Sequence, residues 1–131
     1  MESEIDLKPL DLPGLSASGG PILIAGPCSA ESEEQVLHTA ENLSRAGITI
    51  FRAGAWKPRT RPGAFQGLGH KALPWLKKVK EHTGMLVATE VATEEHVALA
   101  LKHQVDILWI GARTTANPFA VEALARALEG T

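Results

Sequence analysis

The sequence predicts an α/β fold built from four strand–helix units in succession, which means a parallel sheet. Two observations carry this. Short apolar runs at 21–25, 48–51, 85–89 and 106–110 alternate with longer amphipathic stretches. The amphipathic stretches open on capping residues or close on glycines, so each reads as a bounded helix.

Residues 1–20 hold no sustained period and end in Ser-Ala-Ser-Gly-Gly, which reads as a flexible leader with a short ordered piece near Leu10 to Leu15. The run 21–25, stopped by Gly26 and Pro27, suits a strand buried on both faces. Ser32 and Gln35 have capping-box spacing, and Glu33 and Glu34 suit a positive helix start. A helix over 32–46 follows, with Val36, Ala40 and Leu43 inward and Gly47 as C-cap. The second run, 48–51, delivers Arg52 at its C-terminal end.

Leu73, Leu76 and Val79 form the stripe of a second helix, with Pro74 in its first turn and Gly84 closing it. The third run ends at Glu90, and a third helix over 93–102 turns Val97 and Leu101 inward. The fourth run ends at Gly111, Ala112 and Arg113. Asn117 then caps a fourth helix with Pro118 at its first position. Val121, Leu124, Ala125 and Leu128 make its inner face and Gly130 its C-cap.

A complete (β/α)8 barrel needs roughly 250 residues. At 131 residues the chain is either a small open sheet or half of such a barrel. In the second case its first and fourth strands each leave an edge to pair with another chain.

Composition excludes several classes. Cys28 is the one cysteine, so there is no internal disulfide framework, and a reducing cytoplasm is expected. No apolar run approaches the roughly 20 residues of a membrane helix, and the acidic start lacks the basic and apolar regions of a signal peptide. A net charge of −2 argues against a general nucleic-acid binder.

The positive charge is nonetheless concentrated. Residues 42–80 hold nine Lys or Arg and no Asp or Glu, centred on the Gly- and Pro-broken loop 52–69. Cations on a structured loop in an acidic chain point to a site for a small anion. Parallel α/β proteins place their sites at the C-terminal strand ends. Cys28, Arg52, Lys57, Arg59, Thr60, Glu90 and Arg113 all fall there. Arg grips phosphate or carboxylate with a bidentate fork, and Lys supplies a compact charge. Each residue also has a plainer reading: Cys28 as a small packed side chain, Glu90 as an ion-pair partner, the arginines as loop ties, Thr60 as a turn residue. The five histidines sit mostly at exposed helix positions, with His70 the one nearest the loop. No HExxH, paired-Cys or GxxxxGK[ST] motif is present.

Five motifs, IAGPCS at 24–29, RAGAWKPRT at 52–60, FQGLG at 65–69, TEV at 89–91 and IGAR at 110–113, occur in order and cover about residues 21–131. Together they resemble 3-deoxy-D-arabino-heptulosonate 7-phosphate (DAHP) synthases of the form related to 3-deoxy-octulosonate 8-phosphate synthase. The resemblance implies the N-terminal half of a (β/α)8 TIM barrel and an aldol-like condensation of phosphoenolpyruvate with erythrose 4-phosphate. It implies Arg52, Lys57, Glu90, Ala112 and Arg113 around phosphoenolpyruvate, with Arg52 and Lys57 as its main grip. It places Pro58, Arg59 and Thr60 at erythrose 4-phosphate, and Cys28 as one ligand of a divalent metal of the Mn, Fe, Co or Zn class. The remaining ligands belong to the second half of the family barrel. A truncated chain with little activity alone is therefore expected, in a cytoplasmic homo-oligomer with no nucleic-acid or membrane partner. Rival readings are a self-associating sugar-phosphate-binding half-barrel, a nucleic-acid-binding domain using the acid-free window, and an octulosonate 8-phosphate synthase relative. The Lys57-to-Thr60 string favours the DAHP enzyme.

Overall fold

The computed structural model describes residues 11–12, 20–57 and 59–131. Most of the expected leader, with its ordered piece near Leu10 to Leu15, lies outside the described residues. The elements run β1 (Ile24–Ala25), α1 (Glu33–Arg45), β2 (Ile50–Arg52), a 3-10 turn (Gly69–Ala72), α2 (Leu73–Thr83), β3 (Leu86–Val91), α3 (Glu94–Lys102), β4 (Ile107–Ile110), α4 (Ala112–Thr115) and α5 (Pro118–Ala127).

The four strands pair in sequence order, all parallel. A doubly wound sheet reverses its strand order at a switch point, and no reversal occurs among these strands. Winding in one direction is the geometry of a barrel wall, which decides between the two architectures in favour of the half-barrel.

Register assigns the faces. Ile24 lies beside Ile50, Arg52 beside Ala88, and Glu90 beside Trp109, so these residues share one side of the sheet. The alternate residues Phe51, Val87 and Val91 join Val36, Ala40, Leu73, Leu76, Val79, Val97 and Leu124 in the core beneath the helices. Fully burying a side chain of this size contributes roughly 1.5–3 kcal/mol, so this helix-side layer holds the unit together.

The caps follow the local chemistry. Ser32 Oγ accepts from Gln35 N at 3.1 Å, but Gln35 Oε1 accepts from Glu31 N rather than closing the box on Ser32. Gln35 also donates to the Ser29 carbonyl at 3.2 Å, tying the turn that carries Cys28 to α1. Thr93 Oγ1 and Asn117 Oδ1 cap α3 and α5, and Gly84 ends α2 with φ 72°.

Several expectations are corrected. β1 is two residues long and not buried on both faces: Ile22, Leu23 and Ile24 are exposed, standing outside the core cluster beneath the helices at the edge of the sheet that the described residues form. Leu101 points out and Ala100 in, since α3 presents positions three rather than four apart. Ala125 is exposed beside the buried Leu124. The C-caps of α1 and α5 are Ala46 and Leu128, not Gly47 and Gly130. The 3-10 turn and α4 carry no periodic signal, being single turns.

Candidate active site

The loops after β1 and β2 lie against each other at the C-terminal edge of the sheet. Ala30 N donates to the Gly54 carbonyl at 3.0 Å. A Cβ on Gly54 would come within 2.5 Å of the Cys28 carbonyl, so glycine permits this approach. The result is direct contact between two side chains far apart in sequence: Lys57 Nζ donates to Cys28 Sγ at 2.9 Å.

That contact sets the chemistry of the sulfur. The hydrogen bond from Lys57 holds the Cys28 thiol below its ordinary pKa against an opposing effect of burial, and the positive charges of Lys57, Arg52 and Arg59 add to the lowering. Cys28 is free and exposed. The lowered pKa enriches the thiolate, the form of cysteine that reacts with electrophiles. Among the described residues, no three of His, Cys, Asp or Glu converge on one point, so they do not build a complete metal centre by themselves.

Arg52 closes β2 on the inner face, and its guanidinium lies 5.9 Å from the Trp109 ring centroid, within cation–π range. Glu90 lies between them in the sheet, half-buried near the end of β3. A Cβ on Gly111 would fall 2.2 Å from Glu90 Oε1, so the carboxylate occupies space that only glycine leaves open. Ala112 and Arg113 are exposed on α4 directly after it. Arg59 and Thr60 are exposed on the loop after β2, and Arg59 Nε donates to the Phe65 carbonyl at 3.1 Å. Pro58 lies outside the described residues. His70 is exposed on the 3-10 turn.

Two further residues shape this loop, and residue type gave no signal for either. Thr89 is fully buried; its hydroxyl donates to the Ala53 carbonyl at 2.9 Å and accepts from Ala55 N at 3.2 Å. His96 stacks on Trp56 with ring centroids 4.0 Å apart and planes 12° from parallel. A cavity of about 330 Å³ adjoins the stack, lined by Trp56, Lys57, Arg59, Gln66, Ala92 and His96. The sequence places His96 among the exposed helix positions, whereas the structure half-buries it against Trp56.

The model of the DAHP synthetase I family matches residues 14–128. The chain is 44% identical over 95 residues to the phospho-2-dehydro-3-deoxyheptonate aldolase of Thermotoga maritima, covering 72% of this chain and 28% of that protein. It is 39% identical over 114 residues to a 2-dehydro-3-deoxyphosphooctonate aldolase of Trichlorobacter lovleyi, covering 80% of this chain and 42% of that protein. The crystal structure of the Thermotoga maritima DAHP synthase matches with a TM-score of 0.68 at 43% identity, over 79% of this chain and 29% of that one. A truncated form of 3-deoxy-D-arabino-heptulosonate 7-phosphate synthase from the same organism matches at 0.64 and 36% identity, over 79% of this chain and 36% of that one. The chain therefore spans less than half the length of these relatives. A match running from before β1 to the end of α5 leaves one assignment: the chain belongs to the DAHP synthetase I family.

Proposed function

We propose that the chain supplies the cationic, phosphate-gripping part of a 3-deoxy-7-phosphoheptulonate synthase. This transferase condenses phosphoenolpyruvate with D-erythrose 4-phosphate and water to give DAHP and phosphate, the first step of the shikimate pathway. The observation that carries the reading is the Lys57–Cys28 contact at the C-terminal edge of the sheet, with the charges of Arg52 and Arg59 near enough to act on the same sulfur.

In this reading Arg52 and Lys57 grip the anionic groups of phosphoenolpyruvate, with Glu90, Ala112 and Arg113 around it. Pro58, Arg59 and Thr60 meet erythrose 4-phosphate. Cations held in place by the fold need no reorganisation as negative charge develops during condensation. Cys28 would supply one thiolate ligand to a divalent metal of the Mn, Fe, Co or Zn class. Its exposed sulfur, already depleted of proton affinity by Lys57, fits that role. The bound metal would polarise the aldehyde as a Lewis acid, and its other ligands lie outside the described residues.

The setting follows from the same reading. A biosynthetic enzyme with a free thiol belongs in the cytoplasm, and no helix among the described residues is long and apolar enough to cross a membrane. A homo-oligomer is part of the same reading; exposed Ile22, Leu23 and Ile24 at β1, an edge strand among the described residues, are surface that further barrel strands or a second copy would cover.

Calorimetric titration with phosphoenolpyruvate tests the site. Saturable binding, competed by inorganic phosphate and weakened about tenfold or more by Lys57→Ala (~1.4 kcal/mol), is expected. Binding indifferent to Lys57, or none at all, refutes the reading. Turnover by the chain alone with manganese is expected to be weak, and robust turnover by a verified monomer overturns the incomplete-site interpretation. The octulosonate reading is favoured by relatives of that name. It predicts preference for arabinose 5-phosphate over erythrose 4-phosphate in the same assay.

A further inference from the structure

The loop that presents Lys57 is held by hydrogen bonds on both sides of Trp56. Lys57 N donates to the Gln66 carbonyl at 2.7 Å, and Gly69 N donates to the Ala55 carbonyl at 2.9 Å. The indole between them is closely boxed: a Cβ on Gly69 would lie 3.2 Å from Trp56 Nε1. One ring face rests on His96. His96 belongs to a different βα unit, so the stack couples the β2–α2 loop to the first turn of α3.

The imidazole is itself fixed. Its Nδ1 accepts from Ala92 N at 3.1 Å, where the chain leaves β3, and its backbone N–H donates to the Thr93 cap. An accepting Nδ1 places the single proton of the neutral ring on Nε2. A second proton on Nδ1 would face the Ala92 N–H, donor against donor. The ring would then lose the bond that fixes it, at the border of the cavity it helps to line.

We propose that His96 is a positioning residue for Lys57: its neutral imidazole, stacked on Trp56, holds the loop that delivers the Lys57 ammonium to the anion site. Protonation of His96 releases that loop. The charged groups sharing the cavity are Lys57 and Arg59, and Glu95 precedes His96 on α3. Burial disfavours the imidazolium and Glu95 favours it, with burial the larger effect, so the neutral clamp persists to a lower pH than for an ordinary histidine. The proposal rests on the phosphate-gripping reading only for what Lys57 holds. The clamp itself is independent of the ligand.

Site-resolved amide exchange on the full chain tests it. In His96→Ala, exchange at Lys57 and Gly69 should rise about tenfold relative to wild type, while Phe51 and Val87 in the sheet keep their protection. His96→Phe restores a flat ring against Trp56 and removes the titration. Between about pH 7.5 and 5, wild type should lose protection at Lys57 beyond the intrinsic pH dependence, and His96→Phe should not. Unchanged exchange at Lys57 in His96→Ala overturns the proposal, as does an equal rise at every amide. Identical pH profiles for wild type and His96→Phe overturn its proton-linked part. Inorganic phosphate is titrated in parallel. Weaker binding in His96→Ala, recovered in His96→Phe, supports the link to Lys57. If wild type binds no phosphate, the anion-site reading fails while the exchange data still decide the clamp.

Discussion

The Lys57 ammonium donates to Cys28 Sγ at 2.9 Å, joining the ends of β1 and β2 across 29 positions of sequence. The bond favours the thiolate in the folded chain, whereas the unfolded chain keeps an ordinary thiol. Its stabilising effect is therefore complete above the unfolded thiol's pKa and disappears as pH falls through the lower folded value. Lys57→Met should shift the pH profile of Cys28 alkylation by iodoacetamide upward and slow the reaction about tenfold near neutral pH. An unchanged profile would show that the contact does not govern the sulfur.

Two glycines give opposite outcomes on substitution. A Cβ on Gly26, where φ is 152°, would fall 1.8 Å from the Arg52 backbone carbonyl, which cannot move without displacing β2. Gly26→Ala should cost about 3 kcal/mol or more in urea unfolding. At Gly111 the obstacle is the far end of the Glu90 side chain. Gly111→Ala should unfold within about 1 kcal/mol of wild type yet alter the phosphoenolpyruvate binding proposed above, because the Glu90 carboxylate must swing away from its place at the strand end. Equal destabilisation at both positions would contradict this account.

The opposite end of the sheet serves as a control. Asp106 accepts from Val87 N at 2.9 Å and from Lys80 Nζ at 2.7 Å, fastening the starts of β3 and β4 to α2. Asp106→Ala leaves Val87 N unpaired and should cost about 1–3 kcal/mol. Lys80→Ala, which removes a partly exposed ion pair, should cost about 0–1 kcal/mol. Neither should alter phosphate affinity. Calorimetry on both variants checks that anion binding belongs to the other sheet end.

What could be read without the fold was what local chemistry encodes. Ser32, Thr93 and Asn117 cap helices because their side chains reach the next turn whatever lies beyond it. Arg52 and Glu90 fall at the same sheet end because a parallel sheet aligns its strand ends. Contacts made at long range were not legible: Thr89 meets Ala55 34 residues away, and His96 meets Trp56 from another βα unit. The exposure of β1 was also missed, because an apolar run does not state whether a neighbour covers it.

Thr89 offers the sharpest test of how the loop is shaped. Its hydroxyl is the acceptor for Ala55 N and the donor to the Ala53 carbonyl, in a position with no access to water. Valine has nearly the same shape, so Thr89→Val removes both bonds without opening a cavity and strands two buried backbone groups. That should cost about 1–3 kcal/mol or more. Serine keeps both bonds and loses one methyl group, a change of about 1 kcal/mol. The expected order of stability is wild type, Thr89→Ser, Thr89→Val. Phosphate affinity should follow the hydroxyl rather than the methyl, staying near wild type in the serine variant and falling in the valine variant, because Ala53 and Ala55 lead directly into Trp56 and Lys57. A valine variant as stable as the serine one, with unchanged phosphate binding, would mean the loop keeps its shape without Thr89.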